Sequence, residues 1–523
     1  MKHFYYACLT LLAAVMVLAS CSKEKDGTAC LKLIPEDAAI VVRIDMKQSL
    51  DAIGYDEADD FKDKLKDAIN EHVDDDELQE MLTEIVDNPS ATGIDTSNPV
   101  YLYVTANLSN IVGFVGTTSD QEKLEAFINK LSEMADGDEV EETDGVKYFE
   151  IQKAGIAFTD EWFFIGMAAD GAKSLAKDLK KLAEADEAPI MKNEDFKAMM
   201  EKEGMFQMLV SGKGAAEGLN KLATLDRQAK EVVKVAEKAL PGKIEDISLL
   251  LDGTMKEGIS TGTAELLTYS DEWKEAVKDF DNMLGDINEN TAEWASSKGI
   301  AVLANIDGEK LFDMVLSAAS KFGIDNDEET VATIRNYIAS VKGDITFSMD
   351  GISDDETPEL QAYISTKDET IIKMLLIEGD DDIEMIDSLN FKINNYDWDY
   401  NYESGEYEKT NLVNSIFAGF DRGYTYFVMG KNPQPFKKPS ETIPSDIIQG
   451  KGFYFYFNYD FLEEAAKISG NSRETRMMKE MGKIMDYADG YYEGNGKCTF
   501  RGELNDKKTP LINQYVEIFE KFL

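Results

Sequence analysis

Ala39-Ile40-Val41-Val42-Arg43-Ile44-Asp45 follows the turn Pro35-Glu36-Asp37 and leads into a helix from about Met46. A β-branched run bounded by turn residues reads as a strand. Far downstream, Ala301-Val302-Leu303-Ala304-Asn305-Ile306-Asp307 repeats the pattern. It enters a helix whose apolar face is Leu311, Phe312 and Val315. One such pair means little, so the question is whether others follow in the same order.

They do. Val115-Gly116-Thr117-Thr118-Ser119-Asp120 matches Tyr363-Ile364-Ser365-Thr366-Lys367-Asp368, each a strand ending at a helix N-cap. The helices that follow carry Leu124, Phe127, Ile128 and Leu131 in one case and Ile371, Ile372, Leu375 and Leu376 in the other. The hairpin from Phe158 to Ile165 matches that from Phe420 to Phe427, at the spacing that relates Ile44 to Ile306. The strands 206–210 and 453–457 correspond, as do 261–266 and 499–504. Five ordered correspondences favour an internal duplication over chance recurrence. Strands come in runs joined by short turns, which points to antiparallel pairing. The expected fold is α+β, with two similar tandem lobes of antiparallel sheet packed on helices. Residues 31–287 form the first lobe and 288–523 the second, which repeats it.

The chain begins with Lys2 and an apolar run from Phe4 to Leu18, broken only by Thr10. Leu18-Ala19-Ser20-Cys21 closes that run as a lipobox. The run is too short for an ordinary transmembrane span and has the form of a signal peptide, residues 1–20. Cleavage is expected between Ser20 and Cys21, with the Cys21 thiol carrying lipid. Residues 21–30 then form the lipidated tether, and two or three acyl chains would hold the protein stably on a membrane. Ser22 after the cysteine resembles the outer-membrane sorting pattern of Gram-negative lipoproteins. Glu24 and Asp26 partly match an acidic surface-export tag. An outer membrane lipoprotein, periplasmic or surface-exposed, is the expectation.

A net charge of −47 opposes binding to nucleic acid or anionic head groups. With 43% apolar residues, the chain still has enough material for real cores. It has two histidines, and His3 lies within the signal peptide. That leaves His72, so a two-histidine metal site cannot be built within one mature chain. Cys30 and Cys498 are the two thiols left after processing, and an oxidising envelope makes them a candidate disulfide. Gly212-Lys213-Gly214 lacks the spacing of a phosphate loop.

Two ligand readings fall on the segment from Asp397 to Glu408. Asp397, Asp399, Asn401, Glu403 and Glu408 supply hard oxygens at a spacing like that of a calcium loop, although Tyr402 stands where the sharp turn needs glycine. Trp398, Tyr400 and Tyr402 alternate with polar residues, as aromatics do on sugar- and peptide-binding surfaces and also on a half-buried strand. No catalytic set stands out among the 101 acidic residues.

Leu33-Ile34-Pro35-Glu36-Asp37-Ala38-Ala39-Ile40-Val41-Val42-Arg43-Ile44-Asp45, the lipobox and the two-lobed length resemble a group of Bacteroidales lipoproteins carrying a large domain of unknown function. That resemblance brings no catalytic residues with it. The leading expectation is a non-enzymatic envelope lipoprotein that binds a protein or glycan. A carboxylate-based glycan hydrolase and a calcium-dependent structural protein are the alternatives. Cys21→Ala should release the protein from membranes on fractionation, and persistent membrane association of that variant would contradict lipid anchoring.

Overall fold

The computed structural model describes residues 27–73, 75–105, 112–134, 139–151, 154–167, 171–225, 227–321, 328–353, 357–377, 383–401, 406–430, 433–468 and 473–520. The chain divides into two compact units. One runs up to Ser270 and also takes the segment from Asp506; the other runs from Asp271 to Asn505.

The first unit has β1 (Ala38–Ile44), β2 (Val100–Thr105), β3 (Val112–Thr117), β4 (Glu141–Thr143), β5 (Val146–Ile151), β6 (Ala154–Phe158), β7 (Trp162–Met167), β8 (Phe206–Val210), β9 (Ile247–Lys256) and β10 (Ile259–Thr268). Their order across the sheet is β4-β5-β6-β7-β3-β2-β1-β8-β9-β10, with antiparallel neighbours throughout. The opening motif is therefore a central strand: Val41 faces Tyr103 of β2 on one edge and Leu209 of β8 on the other. One face of the sheet, with Val41, Tyr101, Val115, Phe164, Leu209 and Leu250, packs under Leu33, Ile190 and Phe196. The opposite face, including Phe163 and Ile165, packs under Met46, Leu124 and Ile128.

The second unit has β11 (Ile300–Asp307), β12 (Val341–Ile352), β13 (Pro358–Thr366), β14 (Ile383–Met385), β15 (Asn390–Asn401), β16 (Glu406–Asp421), β17 (Tyr424–Gly430), β18 (Phe453–Asn458), β19 (Met485–Gly494) and β20 (Lys497–Leu504). They run β14-β15-β16-β17-β13-β12-β11-β18-β19-β20, again antiparallel. Ala301, Leu303 and Tyr454 lie on one face under Ile287, Ala292, Ile443 and Ile448. On another part of the sheet, Ile372 packs with Phe391 and Ala418.

The strand-to-helix corners have one chemical cause. Asp45 accepts a hydrogen bond from the Gln48 amide at 2.9 Å and caps the helix Met46–Ile53. Asp307 accepts from the Glu309 amide at 3.1 Å and caps Gly308–Lys321. Asp120 and Asp368 do the same after β3 and β13, accepting from Glu122 and Thr370 amides at 3.0 Å. A side-chain oxygen at this position satisfies amide groups that the first helical turn leaves without partners.

The unit boundary differs from the expected one. The strand series of the first unit ends with β10, but the next helix, Asp271–Met283, belongs to the second unit. There Phe280 meets Tyr492 edge to face at 5.2 Å, and Asp281 accepts from the Tyr492 hydroxyl and the Asn495 amide. The helix Leu511–Glu520 belongs to the first unit, where Ile512 packs with Leu50, Tyr55 and Phe61. Amphipathic periodicity marks a helix that needs a partner without naming it.

Asp195 fastens the first unit. It is buried and accepts from the Ser248 hydroxyl at 2.5 Å and from the Tyr269 hydroxyl, while Ser248 Oγ accepts from the Gly212 amide at 3.0 Å. Asp195→Ala leaves the buried Ser248 hydroxyl without its acceptor and should cost about 2 kcal/mol. Urea unfolding followed by circular dichroism measures this, and an unchanged midpoint would refute the fastening role.

Candidate functional site

Several residues singled out in the sequence fall outside the described structure. The signal segment and Cys21 do, as do Tyr402 and Glu403. For Asp397, Asp399, Asn401 and Glu408 the backbone is described and the side chains are not. That backbone forms an antiparallel strand pair, with Asp399 opposite Glu408 and Tyr400 opposite Tyr407. Trp398 is at a register position opposite Lys409. The flanking elements are therefore strands and not the helices of a helix-loop-helix calcium site. Among the described residues no cluster of three or more acidic, histidine or cysteine side chains is placed to hold a metal ion.

Neither Cys30 nor Cys498, the two residues of the candidate disulfide, is in a disulfide in this structure. Cys30 is fully buried in the first core, and its thiol donates to the Gly27 carbonyl at 3.3 Å. Cys498 is on β20, opposite Tyr492, and burial pushes its thiol pKa up. Gly212-Lys213-Gly214 starts the helix Gly212–Leu225. A Cβ on Gly214 would lie 2.4 Å from the Ala39 Cα, so glycine there allows the helix to approach β1.

The candidate site is a cleft of about 350 Å³ in the second unit. Its walls are the ends of β12, β13 and β17 and the segment 433–440. Asp350 and Glu359 bring carboxylates, Gln361 an amide, and Lys437 and Lys438 amines. Adjacent strands supply the two acids, with Glu359 opposite Gly351. Asp350 accepts from the Ser296 hydroxyl. Lys438 pairs with Glu293 at 2.7 Å.

Behind this wall, Phe436 plugs an aromatic nest. Its ring stacks on Tyr363 at 5.1 Å and meets Trp294 and Tyr426 at 5.5 Å each. The Arg422 guanidinium covers it at 4.6 Å. A hydrogen-bond relay locks the nest. The Phe436 amide donates to the Tyr363 hydroxyl at 2.9 Å, which donates to Gln361 Oε1 at 2.9 Å. Gln361 Nε2 donates to the Trp294 carbonyl at 2.8 Å. Burial pushes the Tyr363 phenol up to about 12, so it remains a donor at neutral pH. Phe436 has φ of 58°, a left-handed backbone conformation that a bulky side chain rarely adopts. Strain of this kind persists where surrounding contacts over-determine it, and it clusters at ligand sites.

Sequence reasoning missed this site because its parts are far apart in the chain. The available signal was Pro433-Gln434-Pro435-Phe436-Lys437-Lys438-Pro439, a stiff segment holding three of the chain's 11 prolines.

The model of the family described as "Domain of unknown function (DUF4836)" matches residues 31–493. No curated protein matches. Among solved structures, crystal form I of TP0453 is 14% identical, covering 50% of this chain and 87% of that one, with a TM-score of 0.26. Crystal form III of TP0453 is 15% identical, covering 50% and 88%, with a TM-score of 0.27. Likeness at this level carries no argument. The family match spans most of the chain, including both units' central strands, and the protein belongs to the DUF4836 family.

Proposed function

We propose that this is an envelope lipoprotein, anchored to the outer membrane through lipid on Cys21, whose second unit binds a glycan or a protein segment in the cleft. The cleft carries this reading. It joins hydrogen-bonding acids, an amide and amines to a stiff wall held in place by an aromatic plug. Binding sites of this kind put a few fixed polar groups on a preformed surface. The lipobox supports the anchor, and the resemblance to Bacteroidales lipoproteins agrees with it.

The two units are, on this reading, copies of one ancestral unit. Their strand orders correspond position by position when β1 is matched to β11 and each later strand to its counterpart. Aspartate caps follow the matching strands β1 and β11, and β3 and β13. The matching hairpins β9–β10 and β19–β20 turn through Glu257-Gly258 and Asn495-Gly496, all with positive φ. That is the conformation of a two-residue type I′ turn. If only one copy carries the cleft, the other is free to serve as scaffold.

A second reading rests on Asp350 and Glu359 lining one cleft. Paired carboxylates are the equipment of glycan hydrolysis. The two readings separate in one experiment. The chain from Ser22 onward is titrated calorimetrically with defined oligosaccharides and with unstructured peptides, and the same oligosaccharides are assayed for cleavage. Binding without cleavage is expected. Glu359→Gln and Lys437→Ala should each weaken binding roughly tenfold. Cleavage abolished by Glu359→Gln would favour the hydrolase, and no binding by either ligand class would sink the cleft as a site.

A further inference from the structure

A buried acid elsewhere in the second unit is not explained by ligand binding. Asp489 on β19 is 8% exposed. Its Oδ2 accepts from the Tyr454 hydroxyl at 3.1 Å, while its Oδ1 is buried without a hydrogen-bond partner among the described residues. Asp195 in the first unit differs, because both of its carboxylate oxygens accept from hydroxyl groups. A buried carboxylate with an unsatisfied oxygen is costly when ionised and far less so when protonated.

The groups facing Asp489 come from every strand around it. β18 contributes Tyr454 and Tyr456, the latter directly opposite Asp489. β19 contributes Tyr487 and Tyr491, and β20 contributes Arg501, opposite Asp489, and Glu503. Lys451 approaches from the segment before β18. Both cations are engaged elsewhere: the Arg501 guanidinium donates to Glu503 at 2.8 Å, and the Lys451 ammonium is over the Tyr491 ring. Tyr487 also donates to Glu503, at 3.0 Å, and stacks on Tyr456. Their fields favour the anion without supplying the missing hydrogen bond.

We propose that Asp489 is an acid-dependent clamp: protonated, it closes the β18–β19–β20 end of the second unit, and ionised, it weakens that closure. Burial holds its pKa above the usual carboxylate value, with Tyr454, Arg501, Lys451 and, least of these, the residue's own backbone amide acting in the opposite direction. The sign follows from linkage. Below the ordinary carboxylate value of about 3.9, Asp489 is protonated in both folded and unfolded chains and carries no penalty. As pH rises from there through the folded-state value, the unfolded chain gives up the proton more readily, and stability falls. Above the folded-state value the loss is constant.

Asp489→Asn keeps the shape and an acceptor for Tyr454 but cannot ionise. Urea unfolding of the chain from Ser22 onward is measured for both proteins from about pH 4 to about pH 8. The remaining acids contribute equally to both curves, so the difference isolates Asp489. The variant should match wild type at the acid end and be the more stable at neutral pH. The ratio of unfolding constants should grow roughly tenfold for each unit by which the folded pKa exceeds the unfolded one. A difference independent of pH, or a variant that is less stable at neutral pH or does not fold, would overturn the clamp. Carboxyl ¹³C shifts of wild-type Asp489 provide a second readout: titration at or below the ordinary carboxylate value would overturn it equally.

Discussion

Each unit is organised around one strand paired on both edges. Val41 of β1 lies between Tyr103 and Leu209, and Leu303 of β11 between Thr346 and Tyr454. These pairings bring together segments far apart in sequence, so chain entropy is lost before the contacts repay it. The β-branched run in each central strand meets that demand, because it can bury side chains on both faces at once. On one face of β1 lies the core around Leu33 and Phe196, and on the other that around Leu124 and Ile128. Truncating Val41 would therefore disturb the middle of the sheet and not merely one layer.

Parts governed by short-range chemistry were legible in the sequence. The β-branched runs became strands, and Asp120 and Asp368 became helix caps where the pattern placed them; Asp45 and Asp307 cap the helices after the two repeated strands, which the pattern had marked only as leading into helices. The hairpins Phe158–Ile165 and Phe420–Phe427 formed as read. Parts that depend on distant packing were not legible. The helix Asp271–Met283 has a clear apolar stripe, but only packing decides that Tyr492 becomes its neighbour. Gln361 looks like any polar residue in a strand until the fold puts Trp294 and Phe436 beside it. Asp489 sits in an alternating tyrosine-rich stretch that reads equally well as solvent-facing.

The cores also qualify what the acidic composition means. Among the described residues the buried acids are Asp95, Asp195, Asp344 and Asp489. Asp195 ties elements together, Asp344 accepts from the Asn288 amide and the Asn305 side chain, and Asp489 is left half-satisfied. Net charge sets solubility and the partners the surface can tolerate. Local geometry determines which carboxylates matter to the fold. The cleft follows the same division, since it sets Lys437 and Lys438 beside Asp350 and Glu359, a local balance of charge that the overall composition hides.

The two closing helices have a consequence for biosynthesis. The first unit takes back the segment from Asp506, so its parts are not contiguous in the chain. Domains ordinarily fold as units, the N-terminal one first, as the chain is made. Here the unit that begins first cannot be complete until the strands of the second have been synthesised. Leu50, Tyr55 and Phe61 must meanwhile wait for Ile512. The later unit is thus the first able to finish, and a nascent chain stopped after Ser270 would present an apolar surface with no partner yet made.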